Sequence, residues 1–436
     1  MSNPRKLIRF LLVSAVLAAL ILSGPVLASA KSRTDHSGSS TNNTRFYVPP
    51  PNPDAIRQIA RLILSHNTAD AKLIAKMIAT PQAVWIDDGT PNQTRKSVQQ
   101  TMLLARLQHA VPVFVAYNVP GRDCSNLSAG GAATEAEYKA WIDAIASGIG
   151  NGNAFVIVEP DGLGLLPSNC PVPVPSTDAQ RYRELNYAVD ALEAKPNTSV
   201  YLDATHSAWQ NVHDASTRLM LAGVERSHGF FLNASNYQYS ENQVHYGTWI
   251  SKCIARLSAN PGAECPDQYW NGGPLPSLIA QTIGEWTGDA LSRYGVWSDT
   301  DTTVVTTPAG PRMPFNTSGE NIRYADTTGL THFVIDTSRN GVGPWNFGAS
   351  YPNDGVAQDW CNPPGRGLGL RPTANTGNPL VDAYLWIKIP GESDGQCTRG
   401  TPGPQDPERG IVDPAAGAWF PEMALELVHN ANPALQ

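Results

Sequence analysis

The sequence predicts an α/β protein, a distorted TIM-like barrel with seven parallel strands and its active site at the C-terminal ends of those strands. Three observations predict it. Short apolar runs alternate with helically spaced segments through most of the chain, which points to a parallel sheet. The runs are apolar at consecutive positions, as in Phe155-Val156-Ile157-Val158, which suits strands buried on both faces. The runs also stop at clusters of polar and aromatic residues. In a parallel barrel those ends share one face, and active sites lie there.

Taken in order, helical spacing is expected over Ala55–Leu64 and Ala69–Ala79. Strands are expected at Ala83–Asp87, Val111–Tyr117, Ala154–Glu159, Ser199–Asp203, Gly229–Asn233, His332–Asp336 and Ala383–Lys388. Helices are expected between them at Arg95–Ala110, Glu135–Ser147, Gln180–Ala194 and Ala215–Val224. The Ile/Leu-containing stretch Pro274–Tyr294 reads as a helix, and the Thr/Pro/Gly-rich Ser298–Asp326 as a long loop. The strand count is one short of a standard barrel.

The N-terminal 30 residues read as a secretory signal. Arg5, Lys6 and Arg9 precede the apolar Phe10–Leu22, and Ala28-Ser29-Ala30 offers small residues for cleavage. An uncleaved membrane anchor is the alternative. Residues 31–48 read as a flexible polar leader, rich in Ser, Thr and Asn up to Thr44. Residues 49–436 then form the catalytic domain. Loss of the signal removes three basic residues and no acidic one, taking the net charge from −7 to −10. Such a surface argues against nucleic acid and suits a neutral ligand. The six cysteines form no CxxC pair, and no HExxH occurs, so a metal has no support. An even count behind a signal peptide favours three disulfides, with the pairing left open.

The strand ends carry the chemistry. They read Asp87-Asp88, Tyr117 with Arg122-Asp123-Cys124, Glu159-Pro160-Asp161, Asp203 through Trp209, Asn233 through Tyr237, Asp336 through Arg339, and Lys388 with Glu392 and Asp394. Pro160 has no N–H for a sheet ladder, so its strand should end there. Asp161 is then held near apolar side chains, which disfavours its charged form, as a general acid near neutral pH requires. A helix-capping aspartate is the plainer reading. Carboxylates with Trp, Asn, Arg and Lys are the materials of sugar hydrolysis: rings stack on aromatic faces and two carboxyl groups do the acid–base work. For Trp85 and Trp386, inside strands, core packing is an equal reading, whereas Trp209 and Trp360 sit beside polar loops. Gly391-Glu392-Ser393-Asp394-Gly395 also matches the GxSxG elbow of serine hydrolases. The elbow needs a helix directly after it, and Gln396 through Pro404, with its Gly and Pro, does not supply one.

Several stretches together resemble glycoside hydrolase family 6, the cellulases. Val115 through Cys124 looks like its first signature and Val156 through Asp161 its second. Tyr201 through His206, Asp359-Trp360-Cys361-Asn362 and Trp386 through Gly395 match in the same order, so the likeness runs from about Pro49 to the C-terminus. The resemblance implies a seven-stranded distorted barrel that hydrolyses β-1,4-glucan with inversion and without a cofactor; with the signal segment, a secreted protein is expected, and a monomer. Carried over, Asp161 is the general acid, Asp123 the charge that keeps it protonated, Tyr117 the residue that crowds the sugar ring, and Asp394 the proposed base. Trp85, Asp203, His206, Trp209, Asn233, Trp360, Lys388 and Glu392 would line sugar subsites. Disulfides Cys124–Cys170 and Cys361–Cys397 match the family's pairs, which leaves Cys253 with Cys265.

Three positions depart from the pattern. Gly162 replaces a small side chain after the acid, which should loosen that loop. Ala129 falls where some members carry a water-positioning serine, and Ser128 is its neighbour. Val212 stands where some exo-acting members carry a second stacking tryptophan. Members that cut mid-chain have short loops over the cleft. Here only Gly395 and Gln396 separate Asp394 from Cys397, and Cys124–Thr134 is compact. An endoglucanase is expected; the alternatives are an exo-acting cellobiohydrolase and a non-catalytic carbohydrate-binding protein.

Overall fold

The apolar runs form one sheet. The computed structural model describes residues 44–263, 265, 294–296, 305–307, 310–312 and 329–435. Met1–Ala30 and residues 31–43 of the expected leader lie outside them, as does Pro274–Tyr294 apart from its last residue. Seven parallel strands lie side by side: β1 Val84–Ile86, β2 Val113–Ala116, β3 Ala154–Val158, β4 Thr198–Asp203, β5 Gly229–Leu232, then β8 His332–Asp336 and β9 Val381–Leu385. The sheet curls so that its edges meet at one backbone hydrogen bond, from the Ala83 N–H to the Trp386 carbonyl at 2.9 Å. Between β5 and β8, in the stretch expected to be loop throughout, β6 Val305–Thr307 and β7 Gly310–Arg312 pair antiparallel. Strands this short leave little periodicity to read.

The consecutive apolar pattern has its physical meaning here. Val115, Ile157, Tyr201, Phe231, Val334 and Leu385 point into the barrel. Their neighbours Phe114, Val156, Val158, Leu202, Phe230 and Ile335 point outward against helices. Those helices are α3 Pro91–Leu107, α4 Glu135–Ile149, α5 Asp178–Glu193, α6 Val212–Leu221 and α7 Ser240–Ala259. Thr90, Thr134, Thr177 and Asn211 cap the first four with side-chain oxygens, each satisfying an orphan N–H of the first turn. A second core joins α1 Pro53–Leu64, α2 Thr68–Ile78 and α9 Pro421–His429 and includes the seam residue Trp386. The remaining α-helix among the described residues, α8 Asp354–Ala357, is one turn.

The chain joins the fold earlier than composition suggests. Phe46 and Tyr47 are buried, the Tyr47 N–H donates to the Val111 carbonyl, and the Val111 N–H donates to the Arg45 carbonyl. Two aromatic side chains are enough to anchor the end of an otherwise polar stretch. No helix among the described residues is long and apolar enough to cross a membrane.

Candidate active site

Backbone strain marks the face where function gathers. Asp123, Cys124, Ser125, Glu159, Asp161, Thr205, Asn233 and Ser235 all have positive φ, between 48° and 67°. All lie just past the C-terminal ends of β2 to β5. Non-glycine residues adopt this conformation at a cost, and such residues cluster at functional sites.

Asp161 follows β3 by three residues and is half-buried. Burial, then the negative fields of Asp203, Asp123 and Asp394, hold its carboxyl well above the usual range. Its loop is pinned on both sides. Asp203 accepts the N–H groups of Leu163, Gly164 and Thr205 at 3.3, 3.3 and 2.9 Å. Gly162 does not loosen the loop, contrary to expectation. Its N–H donates to the Glu159 carbonyl at 2.8 Å, and a Cβ there would lie 2.6 Å from that oxygen. The turn needs glycine's missing side chain.

Asp123 lies on the neighbouring loop, and its carboxylate accepts the Ser128 N–H at 2.7 Å. Burial raises its proton affinity, against that hydrogen bond and Arg122. Ser128 therefore acts here through its backbone. Arg122 reads the loop's carbonyls: Asp87 at 2.8 Å, Tyr117 at 2.6 Å and Ser128 at 2.9 Å. It also stacks over the Tyr117 ring at 4.6 Å. Tyr117 is buried, and burial, with the charges of Asp161 and Asp123, keeps its hydroxyl protonated.

Asp394 has the opposite environment. Burial alone would raise its proton affinity, but Arg339 and Lys388 outweigh burial and lower it. Arg339 Nη1 lies 2.8 Å from Oδ2 and Lys388 Nζ 3.3 Å from Oδ1. The Tyr237 hydroxyl and the Asn362 N–H also donate to Oδ2, at 3.2 and 3.0 Å. The Cys361–Cys397 disulfide fastens this loop, Cys124–Cys170 fastens the Asp123 loop, and Cys253–Cys265 joins the end of α7 to the residues beyond.

The other expected residues divide by exposure. Trp85 donates its indole N–H to the Ile387 carbonyl at 2.8 Å and meets Tyr117 edge-on at 5.5 Å. It borders a cavity of about 300 Å³ shared with Asp87, Asp88 and Gln93. Trp209 and Trp360 are half-buried. A Cβ on Gly164 would lie 2.7 Å from the Trp209 ring, so that ring rests against the Asp161 loop. His206 is buried 5.7 Å from Trp209. Glu392 accepts from the Asn52 amide at 3.0 Å, and burial raises its proton affinity. Asn233 is fully buried. Its amide donates to the Asp336 carbonyl at 2.9 Å and accepts from the Gln238 N–H at 3.0 Å, which makes it a brace for the loop. Val212 is buried in the outer core and offers no platform.

Sequence reasoning placed Arg122, Tyr237 and Arg339 at strand ends and Asn362 in a matching motif, but gave none of them a role. Arg339 ends the polar cluster Asp336–Arg339, and a cation beside acidic strand tips was the available signal. The serine-hydrolase reading fails. Ser393 Oγ is buried and donates to the Pro414 carbonyl at 2.8 Å, and His429 pairs with Asp70 of α2 at 2.6 Å.

A parallel barrel whose strand tips raise the proton affinity of one carboxyl and lower that of another is an arrangement that glycoside hydrolysis can use. The chain belongs to the glycosyl hydrolases family 6, whose sequence profile matches residues 41–431. It is 31% identical to endoglucanase A of Cellulomonas fimi over 88% of its length, and spans 61% of the length of that relative. It is 28% identical to a probable 1,4-β-D-glucan cellobiohydrolase C of Aspergillus terreus, over 94% of this chain and 78% of that one. The solved endoglucanase Cel6 of Mycobacterium tuberculosis superposes with a TM-score of 0.61 at 30% identity. That match covers 89% of this chain and 98% of the other.

Proposed function

We propose that this chain is a secreted endo-β-1,4-glucanase that inverts configuration at the cleaved bond. The observation that carries the reading is the opposite setting of Asp161 and Asp394 on one barrel face, the first facing three carboxylates and the second paired with Arg339 and Lys388. Asp161 donates its proton to the glycosidic oxygen as that bond breaks. A water attacks the anomeric carbon from the other side, and its proton leaves toward solvent or a carboxylate. Asp123 stabilises the oxocarbenium-like charge and keeps Asp161 protonated. Tyr117 crowds the ring into a distorted shape. Trp85, Trp209 and Trp360 are the stacking faces, and Lys388 and Glu392 meet hydroxyls.

Asp394 can take the water's proton only by giving up its pairing with Arg339 and Lys388. Its stronger role is as a fixed anion that orients the attacking water. The short Asp394–Cys397 and Cys124–Thr134 connections support an open cleft, as does likeness to endoglucanases. The test follows the viscosity of carboxymethylcellulose alongside new reducing ends. A steep viscosity fall with few ends is expected. Ends without that fall would mean exo action, and neither change would leave a carbohydrate-binding protein.

A further inference from the structure

Behind the site lies a buried charged cluster that the proposed mechanism does not use. Arg181, in the first turn of α5, is 2% exposed. Its Nη1 donates to the Gly162 carbonyl at 2.8 Å and its Nη2 to the Pro120 carbonyl at 3.1 Å. Gly162 adjoins Asp161, and Pro120 lies on the loop that carries Asp123. The same guanidinium therefore holds both loops. Its charge is matched by Glu184, 3.9 Å from Nε, and by the nearby Glu159, both fully buried. Glu159 adds a second tie between the same elements. Its carboxylate accepts the Asn118 N–H at 2.8 Å and the Val119 N–H at 3.1 Å, while its own carbonyl accepts from Gly162.

We infer that Arg181 is a positioning residue that, with Glu159 and Glu184, fixes the distance between the Asp123 loop and the Asp161 loop. A planar fork suits the task, because two donors diverge from one rigid group; a lysine ammonium has the charge but not that geometry. Arg218 provides the contrast. It binds the Leu163 and Gly164 carbonyls at 2.7 and 3.3 Å, so it holds the Asp161 loop alone. The inference rests on the glucanase reading only for its effect on turnover.

Hydrogen exchange of the full chain tests it without needing activity. In Arg181→Lys, amides 118–124 and 162–165 are expected to exchange together, about tenfold faster, with β3 unchanged. In Arg218→Lys only the second stretch should respond. Acceleration of one stretch alone in Arg181→Lys, or of neither, overturns the inference. Should Arg181→Lys fail to fold, the isosteric Glu184→Gln serves, with the same two stretches expected to loosen together about threefold. Where wild type cleaves glucan, Arg181→Lys should lower kcat about 100-fold with KM within about twofold. A kcat within about threefold of wild type overturns the positioning role. An inactive wild type would remove the glucanase reading and leave the exchange result to decide this one.

Discussion

Asp161 and Asp394 carry the same functional group, yet their neighbours shift their proton affinities in opposite directions. Asp161 is subject to burial and three carboxylates, whereas Asp394 has two cations and two further donors. Asp161→Ala should lower turnover by about 10²–10⁴-fold, the usual worth of a general acid, while titration calorimetry with cellohexaose still detects binding. Near wild-type turnover would remove Asp161 from the role. A general acid works while protonated, so kcat/KM should fall as pH rises through its pKa. Asp123→Asn removes one of the charges that raise that pKa. The alkaline limb should therefore move to lower pH; an unmoved limb would separate the two residues.

At the scale of elements, α7 departs most from what the sequence suggests. Its 20 residues include Val244, Tyr246, Gly247, Thr248, Trp249 and Ile250, none of them strong helix formers. No side chain caps its start. Burial of Tyr246, Trp249, Ile250 and Ile254 against the outer core holds it helical instead, as tertiary packing can. Gly247 lies against Phe333 of β8, and a Cβ there would fall 2.5 Å from the ring. Gly247→Ala should gain about 1 kcal/mol in helix propensity and lose about 1–3 kcal/mol to overpacking. Net destabilisation is expected in urea unfolding, and a stabilised variant would mean that Phe333 turns aside freely. The missed α9 did carry a signal, Pro421 at its first turn.

For the whole molecule, buried carboxylates set the response to pH. Burial raises Glu159 from 4.5 to about 7, Glu184 from 4.5 to about 6 and Asp203 from 3.8 to about 6. The folded chain thus binds these protons more tightly than the unfolded chain. Their contribution is complete below the unfolded values and is lost as pH rises through the folded ones. Asp394 has the opposite sign, since its lowered value helps at neutral pH and fails only in acid. The unfolding temperature should be higher near about pH 5 than near about pH 8 by calorimetry, with a shallower slope in Glu159→Gln. Equal temperatures would mean that these carboxylates are ionised at little cost in the folded state.

The sequence by itself determined the class of fold and the face that carries the site. Both depend on local signals: unbroken apolar runs for strands buried on two sides, and polar residues where each run stops. The matching motifs supplied Asp123, Asp161 and Asp394 and two disulfide pairs, which left Cys253 with Cys265; all three bridges are formed. Only the tertiary structure decided what surrounds each carboxylate. Arg339 meets Asp394 across 55 residues, and Arg181 meets Pro120 across 61. Likewise Asn233 was placed at a strand tip by sequence, but its buried amide braces a loop. Proton affinity depends on nearby charge and on exclusion of water, and both arise between segments distant along the chain. No local pattern records them.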